Sequence, residues 1–138
     1  MNSRIWRASE YPSTSGHANA RAIATIFGAL AHDGSWGGHH VLGAQVRDEA
    51  IRIHADGEDA VLGRPNRFGL GFQLTNPGIR PLGTGPRAFG HYGNGAVLGF
   101  GDPDGRIAFA YVCNRAGRSW RDPRNIALVD ALYGAAAP

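Results

Sequence analysis

The sequence predicts a single domain over residues 1–138, of the α/β class and α+β type, in which helices pack on an antiparallel sheet of three to four strands. Twenty-one glycines and eight prolines among 138 residues indicate turn-rich β structure more than a helical bundle. Short apolar runs separated by tight turns occupy 89–114, which predicts a three-stranded meander. Hydrophobic residues make up 43% of the chain, enough for one core, and no repeat or linker divides it.

Three segments have the residue spacing of amphipathic helices. They span about 17–31, 43–53 and 124–135, and Pro123 suits the start of the last one. In the middle helix the spacing turns three apolar side chains inward and three charged ones outward: Val46, Ala50 and Ile53 against Arg47, Asp48 and Glu49. The first dozen residues are expected to be irregular, held in place by Ile5 and Trp6.

Four segments are expected to form strands. Residues 68–74 alternate large apolar side chains with glycine or a polar residue, which is the strand period. The meander follows, with strands on either side of the glycine-rich turn near 93–95 and a last strand over 106–114. Its second turn, 102–105, reads Asp-Pro-Asp-Gly, with glycine where φ is positive. The polar stretches 56–66 and 75–85 are expected to be loops.

The charge pattern excludes several partners. All 14 basic residues are arginines, spread along the chain among acidic residues, and the formal net charge is only +3. A nucleic-acid-binding protein would concentrate such charge on one face, so no nucleic-acid partner is expected. No segment has the length of a membrane span and the N-terminus lacks the apolar core of a signal peptide. We therefore expect a soluble chain without a membrane partner. These features do not distinguish between cellular compartments.

Neither cysteine nor histidine indicates a metal centre. Cys113 is the single cysteine, which excludes an intrachain disulfide and a cysteine metal site, and its apolar surroundings predict a buried small hydrophobe. The six histidines lack the spacing of converging ligands, and His39 and His40 are expected to be a solvated loop pair. No metal and no cofactor is predicted.

His91 is the candidate for chemistry, because it lies on a strand beside a glycine-rich turn that lets backbone amides face a ligand. No Gly-x-Ser-x-Gly or Ser-x-x-Lys motif supplies a nucleophile. Spacing alone leaves two interpretations open: a structural imidazole bonded to neighbouring backbone, or a residue with a catalytic role or a role beside the oxyanion.

Three motifs together resemble the C-terminal portion of the serine β-lactamase-like hydrolases, which include class C β-lactamases, DD-peptidases and related esterases. They are Phe68-Gly-Leu-Gly-Phe72, Phe89-Gly-His-Tyr-Gly-Asn-Gly95, and the stretch 99–114 with its Gly-Phe-Gly-Asp-Pro-Asp-Gly start. Residues 6–17 and the helix after them are similar to the segment before the last strands of that family. The resemblance covers most of the chain and implies a partial β-lactamase/transpeptidase-like fold.

The resemblance also assigns the site. His91-Tyr92-Gly93 occupies the position of the family's Lys-Thr-Gly or His-x-Gly triplet, and Asn94 would donate its backbone N–H to the oxyanion hole. It implies His91, Gly93 and Asn94 as catalytic residues, Tyr92 and Gly95 as substrate-binding residues, and a small ester, amide or lactam as substrate.

The chain departs from the family in what it lacks. It has no lysine and no Ser-x-x-Lys motif, and the family's own Tyr-x-Asn motif precedes the region matched here, so the activated nucleophile cannot be assembled from these residues in the family's way. The resemblance implies a C-terminal part that is inactive alone, and a bare sheet edge that calls for self-association or a companion N-terminal segment. The alternative is a non-catalytic binding or self-associating domain derived from that fold.

Overall fold

Two helices pack on opposite faces of a six-stranded antiparallel sheet. The computed structural model describes residues 3–14, 16–79, 81–119 and 121–136, so that Ser15 and Arg80, which belong to predicted loops, lie outside the described residues. In chain order the elements are α1 (Arg4–Ala8), α2 (Ala20–Ala31), β1 (Ser35–Trp36), β2 (His39–His40), α3 (Ala44–Ala50), β3 (Ala55–Asp59), β4 (Arg64–Phe68), β5 (Gln73–Leu74), β6 (Phe89–Gly93), β7 (Val97–Asp102), β8 (Ile107–Tyr111) and α4 (Pro123–Ala136).

The predicted class is confirmed, but the sheet is larger than expected. Its six strands lie in chain order from β3 to β8, all antiparallel, and β1 with β2 forms a separate small hairpin. The polar stretch 56–66, expected to be a loop, contains most of the β3–β4 hairpin. Its turn is stabilised because the Asp59 carboxylate accepts the backbone N–H groups of Val61 and Leu62, both at 2.9 Å. The polar composition of 56–66 therefore led to the wrong prediction of a loop where β3 and β4 pair.

The segment 68–74, expected to be one strand, is divided by a turn. β4 ends at Phe68 and β5 begins at Gln73. Between them Gly71 has φ +84°, and the Leu70 N–H donates to the Ala50 carbonyl at the end of α3. Tertiary contact with α3 thus overrides the alternating pattern.

Helix α2 packs unusually close to β7 and β8, because the sheet carries small residues on that face. A Cβ built on Gly99 would lie 2.6 Å from Cγ2 of Ile23, and one on Gly101 would lie 3.0 Å from the Phe27 carbonyl oxygen. Any larger side chain at these positions would displace the helix. The glycines that alternate with bulky residues in 68–74 predict the same close packing there, and it is found at Gly69, where a built Cβ would lie 2.0 Å from the Ala50 carbonyl oxygen of α3.

The opposite face of the sheet carries the larger side chains and is covered by α4. Its buried cluster comprises Leu82, Ala88, Tyr92, Leu98, Phe100 and Val129. Asp102 is fully buried on this face and accepts the hydroxyl of Tyr133 at 2.6 Å and the N–H of Gly85 at 3.1 Å. Burial, and then the bond to Asp102, raise the pKa of the Tyr133 hydroxyl, which stays protonated as the donor.

The second turn of the meander differs from the expected geometry in one respect. The Asp102 carboxylate accepts the N–H groups of Asp104 and Gly105, at 3.0 and 3.1 Å, which closes the turn as the sequence predicts. The positive φ, however, belongs to Arg106, at 53°, and not to Gly105. The strand that follows is shorter than predicted, ending at Tyr111.

Helices α2 and α4 form in the segments where the sequence predicts them. α2 begins at Ala20 instead of near residue 17, because the Asn19 side chain caps it by accepting the Ala22 N–H at 2.9 Å. α4 begins at Pro123 as predicted. At the N-terminus, residues expected to be irregular include the short α1, where Trp6 stacks on Tyr11 but Ile5 is 81% exposed and fixes nothing. Within the described residues, no helix combines the length and apolar character that crossing a bilayer requires.

The orientation predicted for the helix 43–53 is wrong at three residues, of which Ile53 lies beyond the end of α3 at Ala50. Val46 and Ile53 are more than half exposed, whereas Arg47 is buried at 7% exposure. The reason is the C-terminal end of α2: Arg47 donates through Nη1 to the carbonyl oxygens of Leu30 and His32, at 3.2 and 2.6 Å. Helix ends leave carbonyl groups without intrahelical donors, and a guanidinium can satisfy two of them.

Replacing Arg47 by Ala should lower the free energy of unfolding by about 2 kcal/mol, because buried carbonyls of α2 lose a charged donor. Arg52→Ala is the matched control, since Arg52 only pairs with Glu49 at the surface, and it should cost about 0–1 kcal/mol. Urea unfolding of both variants measures the difference. Equal losses would contradict the role given to Arg47.

Candidate active site

One cleft brings together three of the five predicted site residues. It has a volume of about 570 Å³ and lies between residues 12–14 with Gly16, α2 and the β6–β7 pair. His91, Gly93 and Asn94 form one wall of this cleft, beside Val97 and Gly99 of β7. The opposite wall consists of N-terminal loop residues and two apolar side chains of α2: Pro12, Ser13, Thr14, Gly16, Ile23 and Phe27.

The strand period separates His91 from Tyr92. His91 is exposed on the α2 side of β6 and lies opposite Gly99 on β7, so no cross-strand side chain covers it there. Its ring centroid is 6.3 Å from that of Phe68. Tyr92 faces the α4 side, is 3% exposed, and donates its hydroxyl to the Pro81 carbonyl. The tyrosine side chain therefore does not reach the cleft, and its substrate-binding role gains no support.

The positive φ angles of the turn after β6 lie beyond Gly93. Gly93 does not have a positive φ; a side chain there would instead meet Cγ2 of Val97, 2.4 Å from a built Cβ. Positive φ occurs at Gly95, at 83°, and at Ala96, at 70°. Gly95 contacts the segment around Ala116 and is not in the cleft wall.

Gln73 of β5, the strand that pairs with β6 on the side away from β7, was not predicted as a residue that positions β6. The side chain of Gln73 is buried and accepts the Tyr92 backbone N–H at 3.0 Å, next to His91 and Gly93. The available signal was a single amide between two large apolar residues in a strand pattern. Ile23 and Phe27, whose spacing in α2 predicts a core position, also line the cleft.

The remaining histidines and Cys113 lie elsewhere. His39 and His40 are exposed as predicted, but they form β2 of the small hairpin instead of a loop. Among the described residues, no group of three His, Cys, Asp or Glu side chains could hold a metal ion. Cys113 is half-buried, and its thiol donates to the Gly95 carbonyl at 3.4 Å.

The two neighbours on β6 should respond differently to truncation. His91→Ala should change the free energy of unfolding by less than about 1 kcal/mol, because the imidazole is exposed in the cleft. Tyr92→Ala removes a buried ring and should cost about 3–5 kcal/mol or prevent folding. Urea unfolding separates the two. A loss for His91→Ala of the size expected for Tyr92→Ala would make His91 a structural histidine.

Comparisons with known proteins agree on one family. The profile of the Beta-lactamase family matches residues 2–133. The esterase/beta-lactamase LipL of Mycobacterium tuberculosis (strain ATCC 25618 / H37Rv) is 34% identical over 106 residues, which is 77% of this chain and 24% of LipL.

Two solved structures have the same fold as this chain. A family VIII carboxylesterase is 37% identical with a TM-score of 0.89, over 96% of this chain and 36% of its own. A penicillin-binding protein homolog from Caulobacter crescentus is 36% identical with a TM-score of 0.90, over 98% of this chain and 36% of its own. The chain thus spans about a quarter of LipL and about a third of each of these structures. The motifs, the fold and these similarities together establish that the chain belongs to the Beta-lactamase family, as its motifs predicted.

Proposed function

We propose that this chain forms the oxyanion side of the active-site cleft of a β-lactamase-like serine hydrolase that acts on small carboxylic esters. The observation that carries the proposal is the shared cleft wall of His91, Gly93 and Asn94. The names of the relatives support the ester class, since both LipL and a carboxylesterase are among them.

The chemistry assigned to this wall is electrostatic. A serine hydroxyl from outside these 138 residues gives its proton to a base that also lies outside them. The serine oxygen forms a bond to the carbonyl carbon of the ester, and the carbonyl oxygen becomes an oxyanion. The Asn94 backbone N–H donates to that oxygen, and His91 lies beside it on the strand. When the tetrahedral intermediate collapses, the alcohol leaves with a proton and the acyl group stays on the serine. A preorganised donor of this kind contributes about 2.7–4 kcal/mol in other hydrolases.

The walls favour an apolar acyl or alcohol group. Ile23, Phe27 and Val97 line the cleft, and no acidic or basic side chain other than His91 is among its described lining residues. Apolar walls with a few placed polar groups are typical of small-molecule sites. Amide and lactam substrates are the alternatives within the same reaction class.

A chimera tests the proposal directly. Replacing the matching third of the family VIII carboxylesterase with this chain should give an enzyme that hydrolyses p-nitrophenyl butyrate. In the chimera His91→Ala should lower kcat by about tenfold or more, because it removes a polar group beside the reacting carbonyl. His39→Ala is the matched control, since His39 lies on the exposed hairpin outside the cleft, and kcat should not change.

The chain by itself should show no acyl-enzyme burst and no labelling by a serine-directed phosphonate, because a serine without an adjacent base is a weak nucleophile. Stoichiometric labelling of the isolated chain, at Ser13 of the cleft wall or at any other serine, would contradict a nucleophile from outside it. A folded but inactive chimera would contradict the hydrolase assignment.

We also propose that the chain associates through the sheet edge at β8. This strand pairs with β7 on one side and with no other described strand on the other. Its free N–H and C=O groups can extend the sheet with a strand from a second copy or from a companion N-terminal segment. This edge also supports the alternative of a self-associating domain without catalysis.

Sedimentation velocity tests this association. The isolated chain should be dimeric or larger at micromolar concentration, because pairing at β8 satisfies open backbone groups. Replacing Ala110 of β8 by Pro removes a backbone donor from the strand and should therefore weaken the association. The wild-type chain at increasing dilution serves as the control. A monomer at the highest concentration reached would contradict the proposal.

A further inference from the structure

The turn that follows His91-Tyr92-Gly93 adopts an unfavourable backbone conformation. Ala96 has φ 70°, a region that residues with a Cβ rarely occupy, and its side chain is fully buried. Asn94, the first residue of this turn, is the donor assigned to the oxyanion. Neighbouring contacts must therefore stabilise the turn for Asn94 to keep its position in the cleft.

The segment 113–117 makes those contacts. The Gly117 N–H donates to the Gly95 carbonyl at 3.0 Å, and the Cys113 thiol donates to the same oxygen at 3.4 Å. Gly117 also leaves room for the Ala96 methyl group, since a Cβ built on Gly117 would lie 2.8 Å from it. The backbone of the segment thus lies directly against the turn.

The start of α4 holds this segment in turn. Arg124 donates through Nη1 to the Arg115 carbonyl at 3.1 Å, and through Nε and Nη2 to the two carboxylate oxygens of Asp122, at 2.7 and 3.1 Å. The Gly117 α-carbon lies against this ion pair, because a built Cβ would be 2.2 Å from Oδ2 of Asp122. A planar guanidinium bound at both ends is a rigid connector.

We infer that Arg124 is a positioning residue for the cleft: paired with Asp122, it holds the segment 113–117 against the β6–β7 turn and so sets the position of the Asn94 N–H. This inference rests on the proposed function, because the value of a fixed Asn94 lies in oxyanion binding. Arg124 does not line the cleft and acts through Arg115, Gly117 and Gly95.

The test uses the ¹⁵N-labelled full chain, well below its unfolding temperature. In Arg124→Gln the amide resonances of Asn94, Gly95 and Ala96 should shift, and the Gly117 amide should exchange with solvent at least about tenfold faster. Arg67→Gln is the matched control, because Arg67 also joins a carboxylate, Asp56, to a carbonyl, that of Thr75. It should leave the turn resonances in place, and Arg124→Lys should restore them in part.

Two outcomes would overturn the inference. The first is an unchanged set of turn amides in Arg124→Gln, and the second is an equal shift in Arg67→Gln. If Arg124→Gln fails to fold, Asp122→Asn gives the same readout with the guanidinium and a side-chain oxygen acceptor retained.

In the chimera the same Arg124→Gln change should lower kcat more than it raises KM. An inactive parent chimera would count against the proposed function, whereas unmoved turn amides count against the positioning role.

Discussion

The close approach of α2 to the glycine face of β7 is the constraint on which the site depends. Gly99 and Gly101 have no side chains, so Ile23 and the Phe27 backbone lie against the sheet itself. The same helix supplies the apolar wall opposite His91. A larger residue at Gly99 would separate the helix from the strand and change both the core and the cleft. The packing of the core and the shape of the cleft depend on the same contact.

The two faces of the sheet carry different kinds of side chain. On its α4 face, large apolar side chains and the fully satisfied Asp102 make a core in which Tyr92 takes part. On its α2 face, small residues leave space that His91, Gly93 and Asn94 border. Adjacent residues of a single strand therefore have separate roles, because consecutive side chains of a strand point to opposite faces. The turn after that strand is linked to the start of α4 through the segment 113–117, which connects the two faces.

The sequence was a good guide wherever local chemistry decides structure. Pro123 at α4 and Asp102 in the second turn each act through neighbours in the chain, and each could be predicted. The Asn19 cap of α2 also acts locally, but it falls inside the helix predicted over 17–31. The inward face of α3 could not, because Arg47 is buried by carbonyls that come from α2. The turn inside 68–74 depends likewise on a bond to Ala50. At the site, the resemblance identified His91, Gly93 and Asn94, while Gln73 and the α2 wall required the tertiary fold.

The most direct test of this account is a nuclear Overhauser measurement on the isolated chain. We expect cross-peaks from the Ile23 γ2 methyl and the Phe27 ring to the α-protons of Gly99, because these groups are in contact in the structure. Cross-strand peaks between β6 and β7 serve as the internal control for a folded sheet. A spectrum with the cross-strand peaks present and the helix peaks absent would contradict the account, since α2 would then not lie where it forms the cleft.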